Sequence, residues 1–370
     1  MIRVLQIIGI VCGGGVEAVI MNYYRHIDRS RVQFDFVIDG YEKSILDAEI
    51  EALGGKVYRV EPYRKNIFRY MWQIYDIIRV GGYDIVHSNM NTLSGFSLLS
   101  AYFGGVRVRI LHNHSTATSH EGMRTVLKVL LRPFARLFAN RYVACSHTAG
   151  IWMYGRCLMN NGGVKILNNA VDTNRFSFSP SLRQKYRSEL GVDEKTLVIG
   201  HIGRFMYQKN HEFLIDVFRP IHAKHSNTVL LLIGDGERRK FIEQKVKDYG
   251  LEKAVRFLGL RNDVAGLYNA MDLFMLPSWY EGLPVVAVEA QANGLRCVFS
   301  DRVTRESKLL DSTEFHALEE GAPKWAEYIL HGNNVREDSA IERISAAGFD
   351  IKSEAKNLVA FYEDNIKATA

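Results

Sequence analysis

Residues 272–294 read DLFMLPSWYEGLPVVAVEAQANG. The apolar run at 272–277 reads as a buried strand. A loop carrying Glu281 and Gly282 follows, with Pro284 at a first helical position and then an apolar helix closed by Gly294. Repeated along a chain, this strand–loop–helix unit makes a doubly wound parallel sheet, and ligands of such sheets sit at the C-terminal ends of the strands. Glu281 and Glu289 stand eight positions apart. At ~100° per helical residue, eight steps bring a direction back to within ~80° of its start, so both carboxylates are expected to address one cleft. The free N–H groups at the helix start would point to the same place and suit an anion. Carboxylates beside an anion site fit a ligand rich in hydroxyls that also carries phosphate. Glu289 is flanked by Val288, Ala290 and Ala292, and a carboxylate on so apolar an element is rarely buried without a partner.

Working outward, the second half of the chain repeats this unit. TLVIGHIG, TVLLLIG, VRFLG, LFMLP and RCVFS are strands separated by helical stretches, which predicts one doubly wound domain over 197–350. Four strand-end loops fall on one edge of its sheet. GHIGRFMYQKNHE carries Arg204 and Lys209, two cations able to neutralise a diphosphate. IGDGE reads equally well as a simple turn. RFLGLRND, with Arg261, offers backbone on which a planar base can lie, and EGLPVVAVE is the loop already described.

The first half shows the same alternation and predicts a second such domain over 1–175. IRVLQIIGIV leads into CGGGVEAVIMNYYRHI, whose Gly13, Gly14 and Gly15 let backbone approach a ligand at a helix N-terminus. The pattern is not G-x-G-x-x-G, which argues against a nicotinamide cofactor. Helices are expected from about Ile45 to Leu53, through Tyr70–Arg79 and through Ser94–Phe103. Strand ends there carry His87, His112, Asn113 and His114. No cysteine or carboxylate joins these histidines at metal-ligand spacing, so hydrogen bonding is the expected role and no metal is assigned. The polar segment 176–196 reads as a linker, and 351–370 as a helix crossing back to the first domain.

Composition limits the function classes. With 47% apolar and 24% charged residues the chain can build real cores. Residues 1–180 hold 21 Lys and Arg against 13 Asp and Glu, whereas the rest hold 26 against 28. The basic half should therefore meet something acidic, but without interleaved aromatics or a known module nucleic acid is not the expected partner. Cys12, Cys145, Cys157 and Cys297 lack metal or disulfide spacing, which suits a reducing, cytoplasmic setting. No apolar run reaches the ~18 residues of a membrane span. Within 123–141 the stretch MRTVLKVLLRPFARLF places Arg124, Lys128, Arg132 and Arg136 on one stripe. It fits peripheral contact with an anionic membrane surface. The ordinary alternative is a helix with its apolar face in the core and a solvated basic face.

These motifs together resemble those of the large family of retaining, metal-independent glycosyltransferases built from two Rossmann-like domains facing across a cleft, the GT-B architecture. The resemblance rests on Glu281 and Glu289, on Arg204 and Lys209, on GDGE at 234–237, on NAVDTNRF at 169–176 and on MDLFMLPSWYEGLPVVAVEAQANG. DIVHSNMNTLSG with RILHNHS is most similar to the subgroup that builds bacterial capsule and exopolysaccharide units. Asn89 departs from the family pattern, where a second histidine is expected. So do Leu167 and Ala170, where proline and glycine are usual.

The resemblance implies roles. Arg204 and Lys209 would hold the diphosphate and stabilise charge as the sugar leaves, an electrostatic effect of the oxyanion type. Glu289 would bind the ribose, and Glu281 would lie by the donor sugar. Gly282, Leu283 and Pro284, with Gly14, Gly15 and Arg261, would complete the donor site. His114 would be the catalytic histidine, with His87, His112 and Asn113 on the acceptor side. The donor would be a nucleotide sugar, most simply UDP-linked, and the acceptor a lipid-linked saccharide at the inner face of the cell membrane. No cofactor or metal is implied. Alternatives are a sugar-nucleotide epimerase, a phosphorylase, or a non-catalytic partner subunit that binds the nucleotide sugar.

Overall fold

The computed structural model describes residues 1–11, 14–44, 46–116 and 123–369. Cys12, Gly13, Ile45 and the side chain of Arg124 therefore lie outside the described set. The chain divides into two compact units, Met1–Ala170 with Ile351–Ala370, and Val171–Asp350.

In the first unit the described residues form a parallel sheet of β1 (Ile2–Ile8), β2 (Val32–Asp39), β3 (Val57–Val60), β4 (Ile85–Ser88), β5 (Val108–Asn113), β6 (Arg141–Ala144) and β7 (Lys165–Ile166). Their spatial order is β3-β2-β1-β4-β5-β6-β7. In the second, β8 (Leu197–Ile202), β9 (Thr228–Ile233), β10 (Val255–Gly259), β11 (Leu273–Leu276), β12 (Arg296–Ser300) and β13 (Thr313–His316) stand in the order β10-β9-β8-β11-β12-β13. All pairings within both sheets are parallel. These are two parallel α/β units of Rossmann-like, doubly wound type. Every residue of β9 is buried, so the strand has no polar face, as expected where a parallel sheet is covered on both sides. Leu230 and Leu232 pack with Leu214, Phe218 and Ile221 of the helix His211–Lys224 in one core. Each such side chain contributes about 1.5–3 kcal/mol by leaving water.

The strand order reverses at the same place in each unit. β1 has β2 on one side and β4 on the other, and β8 lies between β9 and β11. Ligands of doubly wound sheets enter at such switch points. The loops that matter are therefore those after β1 and β4, and those after β8 and β11.

Several expectations need correction. The segment read as a linker folds: Ser179 caps the helix Pro180–Glu189 through Leu182 N (3.4 Å). Arg187 on that helix is buried and donates to Ala270 O (2.8 Å) and Thr196 O (2.6 Å) beside Asp272 (3.2 Å). An arginine anchor gave no apolar periodicity to read. The unit boundary accordingly falls after Ala170. The helix expected from Ile45 is Asp47–Ala52, and Pro284 is the N-cap of Val285–Ala292 rather than its first residue.

The helix Met123–Leu137 reverses the ordinary amphipathic expectation. Met123, Val126, Leu127, Leu130 and Leu137 are exposed, whereas Lys128, Arg132 and Arg136 are half-buried. Arg132 donates to Trp152 O (2.8 Å). Among the described residues no helix is long and apolar enough to cross a membrane.

Candidate active site

The loop after β8 is held against the loop after β9 by backbone hydrogen bonds. Phe205 N donates to Asp235 O (3.0 Å) and Gly203 N to Ile233 O (2.9 Å). Gly234, at φ +133°, leaves no room for a side chain, since a Cβ would fall 2.2 Å from Gly203 O. A Cβ on Gly236 would fall 2.6 Å from Phe205 O. IGDGE is therefore not a simple turn. Its glycines let two strand-end loops touch, and that contact sets the path of Arg204, which is exposed at the sheet edge.

Further along, the β8 loop is stapled to the loop after β11. Trp279 N donates to Gln208 O (2.8 Å), Gln208 Nε2 to Tyr280 O (2.9 Å) and Asn210 Nδ2 to Pro277 O (3.1 Å). Tyr207 stacks on Trp279 with ring centroids 6.0 Å apart. Asn210 takes the left-handed conformation (φ 54°) and opens the following helix. Lys209 Nζ then reaches Glu281 Oε1 at 2.7 Å, and Gln208 Nε2 lies 3.2 Å from Glu281 Oε2. A bridge between Glu281 and Val303 fixes the backbone of this carboxylate. Behind Lys209 sit His201 and His211, both buried and with ring centroids 4.7 Å apart. Burial lowers His201 to about 4. Burial, with His201, Lys209 and Arg238 nearby, lowers His211 to about 2. Both imidazoles are neutral and add no positive charge to the loop.

Glu289 sits on the buried face of Val285–Ala292 and accepts a hydrogen bond from Tyr268 Oη (3.0 Å). Burial raises its carboxyl to about 7, against smaller opposing effects of Tyr268 and Arg175. The partner expected from its apolar surroundings is thus Tyr268, 21 residues earlier, at a distance no local pattern could reveal. Glu281 and Glu289 have separate partners. Gly282, Leu283 and Pro284 are buried between them at the helix start. Arg261 lies at the end of the third loop, where its guanidinium makes two bonds to Asp263 (2.7 and 2.6 Å).

In the first unit, Gly14 is the N-cap of the helix Gly15–His26, and its N–H is already bonded to the carboxylate of Glu17. The four strand-end residues gather at β4 and β5. His87 Nε2 lies 3.1 Å from His112 Nδ1, and the rings of His112 and His114 lie with centroids 3.8 Å apart, tilted by 35°. Asn113 Nδ2 donates to Ser115 O (2.7 Å) and Ala149 O (2.9 Å). Burial keeps His87 and His114 at about 3 and lowers His112 well below the usual range. Sequence reasoning missed Tyr362, whose hydroxyl lies 2.7 Å from His87 Nδ1. Among the described residues no group of three His, Cys, Asp or Glu side chains is placed to hold a metal ion.

Residues 183–329 match the glycosyl transferases group 1, and residues 13–175 match Glycosyltransferase Family 4. The chain is 31% identical over 369 residues to EpsF of Bacillus subtilis (strain 168), which covers 97% of this chain and 96% of that protein. It is 26% identical over 234 residues to the UDP-Gal:alpha-D-GlcNAc-diphosphoundecaprenol alpha-1,3-galactosyltransferase of Escherichia coli, covering 62% and 60% of the two chains. The structure of Anabaena HepE in complex with UDP and glucose aligns with a TM-score of 0.79 at 21% identity, over 98% of this chain and 100% of that one. That last likeness is one of fold. With two family matches that together span most of the chain and a relative matched along nearly its whole length, this protein belongs to the group 1 glycosyltransferases and is a glycosyltransferase of the GT-B fold.

Proposed function

We propose that the enzyme moves a hexose from a UDP-linked donor to a lipid-linked saccharide in surface-polysaccharide synthesis, with retention of configuration and without a metal. The observation that carries this reading is the stapled pair of loops at the β8/β11 switch point. Two cations, Arg204 and Lys209, share one loop, and Glu281 stands on the next with Glu289 on the helix behind it. A departing nucleoside diphosphate gains negative charge as the glycosidic bond breaks. Fixed cations and helix-start N–H groups stabilise that charge where another enzyme would use a divalent ion. Glu281 would meet the sugar and Glu289 the ribose hydroxyls. In the front-face route the bond from the anomeric carbon to the phosphate oxygen breaks, the acceptor's hydroxyl oxygen bonds to that carbon, and the acceptor's proton passes to the leaving phosphate oxygen.

Two relatives support the chemistry. The Escherichia coli enzyme is named for UDP-Gal and a diphosphoundecaprenol acceptor, and the HepE structure is described with UDP and glucose. A lipid-linked acceptor also suits the exposed apolar face of Met123–Leu137, which we infer rests on the membrane that carries it.

Calorimetric titration with UDP, GDP and ADP, in chelator and then with Mg²⁺, tests the reading. UDP should bind without metal and at least tenfold more tightly than GDP or ADP. Arg204→Ala should weaken UDP binding by about 10- to 100-fold, the loss of one charged contact, with thermal unfolding unchanged. UDP binding only with Mg²⁺, or undiminished in Arg204→Ala, would remove this assignment.

A further inference from the structure

A closed set of hydrogen bonds in the first unit determines which ring nitrogen of each strand-end histidine carries a proton. A backbone carbonyl can only accept. Asn89 Nδ2 donates to His87 O (3.3 Å), and this fixes the orientation of the Asn89 amide. The same Nδ2 lies 3.0 Å from Gln6, so the Gln6 atom there is the acceptor Oε1 and its other atom is the donor Nε2. Gln6 Nε2 donates to Tyr362 Oη (3.2 Å). Tyr362 must then direct its own O–H to His87 Nδ1 (2.7 Å). With Nδ1 accepting, neutral His87 carries its proton on Nε2 and donates to His112 Nδ1 (3.1 Å). His112 is left with an Nε2–H. On the other branch Asn89 Oδ1 accepts from His114 Nε2 (3.0 Å), which leaves a lone pair on His114 Nδ1.

Both branches end without a protein partner. His112 Nε2 and His114 Nδ1 are buried and lack a hydrogen bond among the described residues, on two rings whose centroids are 3.8 Å apart. One ending is a donor and the adjacent one an acceptor. A buried polar group left unpaired is unfavourable, so two side by side imply an occupant with both functions. A hydroxyl group accepts one hydrogen bond and donates another.

We propose that Tyr362, with Gln6 and Asn89, is a positioning residue that sets these tautomers so that His112 and His114 receive a hydroxyl of a saccharide substrate. The terminal helix Ile351–Lys367 carries Tyr362 into the first unit, so the end of the chain tunes a site built by β4 and β5. The proposal rests on the glycosyltransferase reading above but not on its choice of nucleotide. Burial keeps His87, His112 and His114 from charging at neutral pH, which is the condition for tautomers to matter at all.

The test is long-range ¹H–¹⁵N correlation of histidine rings in the full-length protein. Wild type should show Nε2–H for His87, His112 and His114. Tyr362→Phe removes the O–H that holds His87 Nδ1 as an acceptor, and an Nδ1–H population should appear at His112. An Nδ1–H form of His112 in wild type, or identical spectra in Tyr362→Phe, would overturn the positioning role. If Tyr362→Phe does not fold, Gln6→Glu replaces the donating amide with an acceptor and should reorient the Tyr362 hydroxyl with the same consequence at His112. UDP, UDP-galactose, UDP-glucose and free galactose and glucose are then added in turn. Shifts at His112 Nε2 and His114 Nδ1 with the sugar nucleotides but not UDP assign the hydroxyl to the donor. Shifts with the free sugars assign it to the acceptor side. If UDP binds and no sugar moves either nitrogen, the saccharide role falls while the nucleotide reading stands.

Discussion

Lys209 Nζ lies 2.7 Å from Glu281 Oε1, and the two side chains are only 15% and 9% exposed. This pair joins the loop after β8 to the loop after β11, so the cation proposed for a diphosphate and the carboxylate proposed for a sugar hold each other. Removing one partner leaves the other charge buried and unpaired, which costs about 3–5 kcal/mol at buried sites, whereas removing both costs much less. Lys209→Met and Glu281→Gln should each destabilise the protein by about 3 kcal/mol, less where water reaches the site. Their double mutant should fall short of the sum by about 1–3 kcal/mol, the range of coupling for residues in contact. Denaturant melts of the four proteins measure this, and additive losses would show the pair to be incidental. In the same set, Lys209→Met should weaken UDP binding.

Glu289 gives a pH signature with a defined sign. Its carboxyl is raised by burial from an ordinary 4.5 to about 7 in the folded chain. Between those values the folded state holds a proton that the unfolded state has released, so stability falls as pH rises through that window. It levels off above about 7. At about 1.4 kcal/mol per unit, the effect approaches ~3 kcal/mol. Glu289→Gln keeps the shape and the Tyr268 contact but cannot ionise. Its stability relative to wild type should therefore improve steadily from pH 4.5 to 7.5, and a flat difference would mean that Glu289 is already ionised when folded. UDP binding should suffer in the same variant, since a neutral amide is a weaker acceptor for ribose hydroxyls than a carboxylate.

Much of this architecture was legible because it is local. The run LFML, the turn at Gly282 and the apolar helix VVAVEAQA each carry their signal within a few residues, and repeated they dictate a parallel sheet. The anchors were not legible where they are long-range or polar. Arg187 holds the segment 176–196 onto the second unit through backbone carbonyls, and a buried arginine looks like a solvated one in sequence. Tyr362 reaches His87 across 275 positions. Periodicity found the two faces of Met123–Leu137 but could not say which of them the protein would cover, because Arg132 satisfies its charge on Trp152 O rather than in water. Strands β7 and β13 escaped as short edge segments with one apolar residue each, and β6 because its four residues are too few for a periodic signal.

The glycines of IGDGE should resist replacement, because their limiting neighbours are backbone atoms. Gly234→Ala sets a Cβ 2.2 Å from Gly203 O at φ +133°, a conformation in which side chains are strained by about 1–3 kcal/mol before the clash is counted. A loss of at least ~2 kcal/mol is expected, together with weakened UDP binding, because the displaced loop carries Arg204. Gly250 is the control. It has φ +65° with nothing within 4 Å, so Gly250→Ala should cost about 1 kcal/mol and leave UDP binding unchanged. Equal losses in the two variants would show that φ alone, and not the contact between the loops, sets the requirement.

The exposed face of Met123–Leu137 predicts where the protein meets its acceptor. Met123, Val126, Leu127, Leu130 and Leu137 recur at three- and four-residue spacing and are 52–81% exposed. Contiguous apolar surface of this kind is unfavourable in water and favourable in the outer part of a bilayer. Lys128, Arg132 and Arg136 lie on the opposite, half-buried side of the helix, so the apolar residues carry the contact. Flotation with vesicles of phosphatidylglycerol and phosphatidylethanolamine should carry wild type to the lipid fraction. Leu127→Ser with Leu130→Ser should leave it in the aqueous fraction, with UDP binding and thermal unfolding intact because both positions face outward. Binding should persist with added salt, since the apolar contribution is not screened. Complete release by salt with no effect of the serine substitutions would assign the contact to charge alone. Absence of flotation in wild type would mean that the apolar face is covered by something other than a membrane.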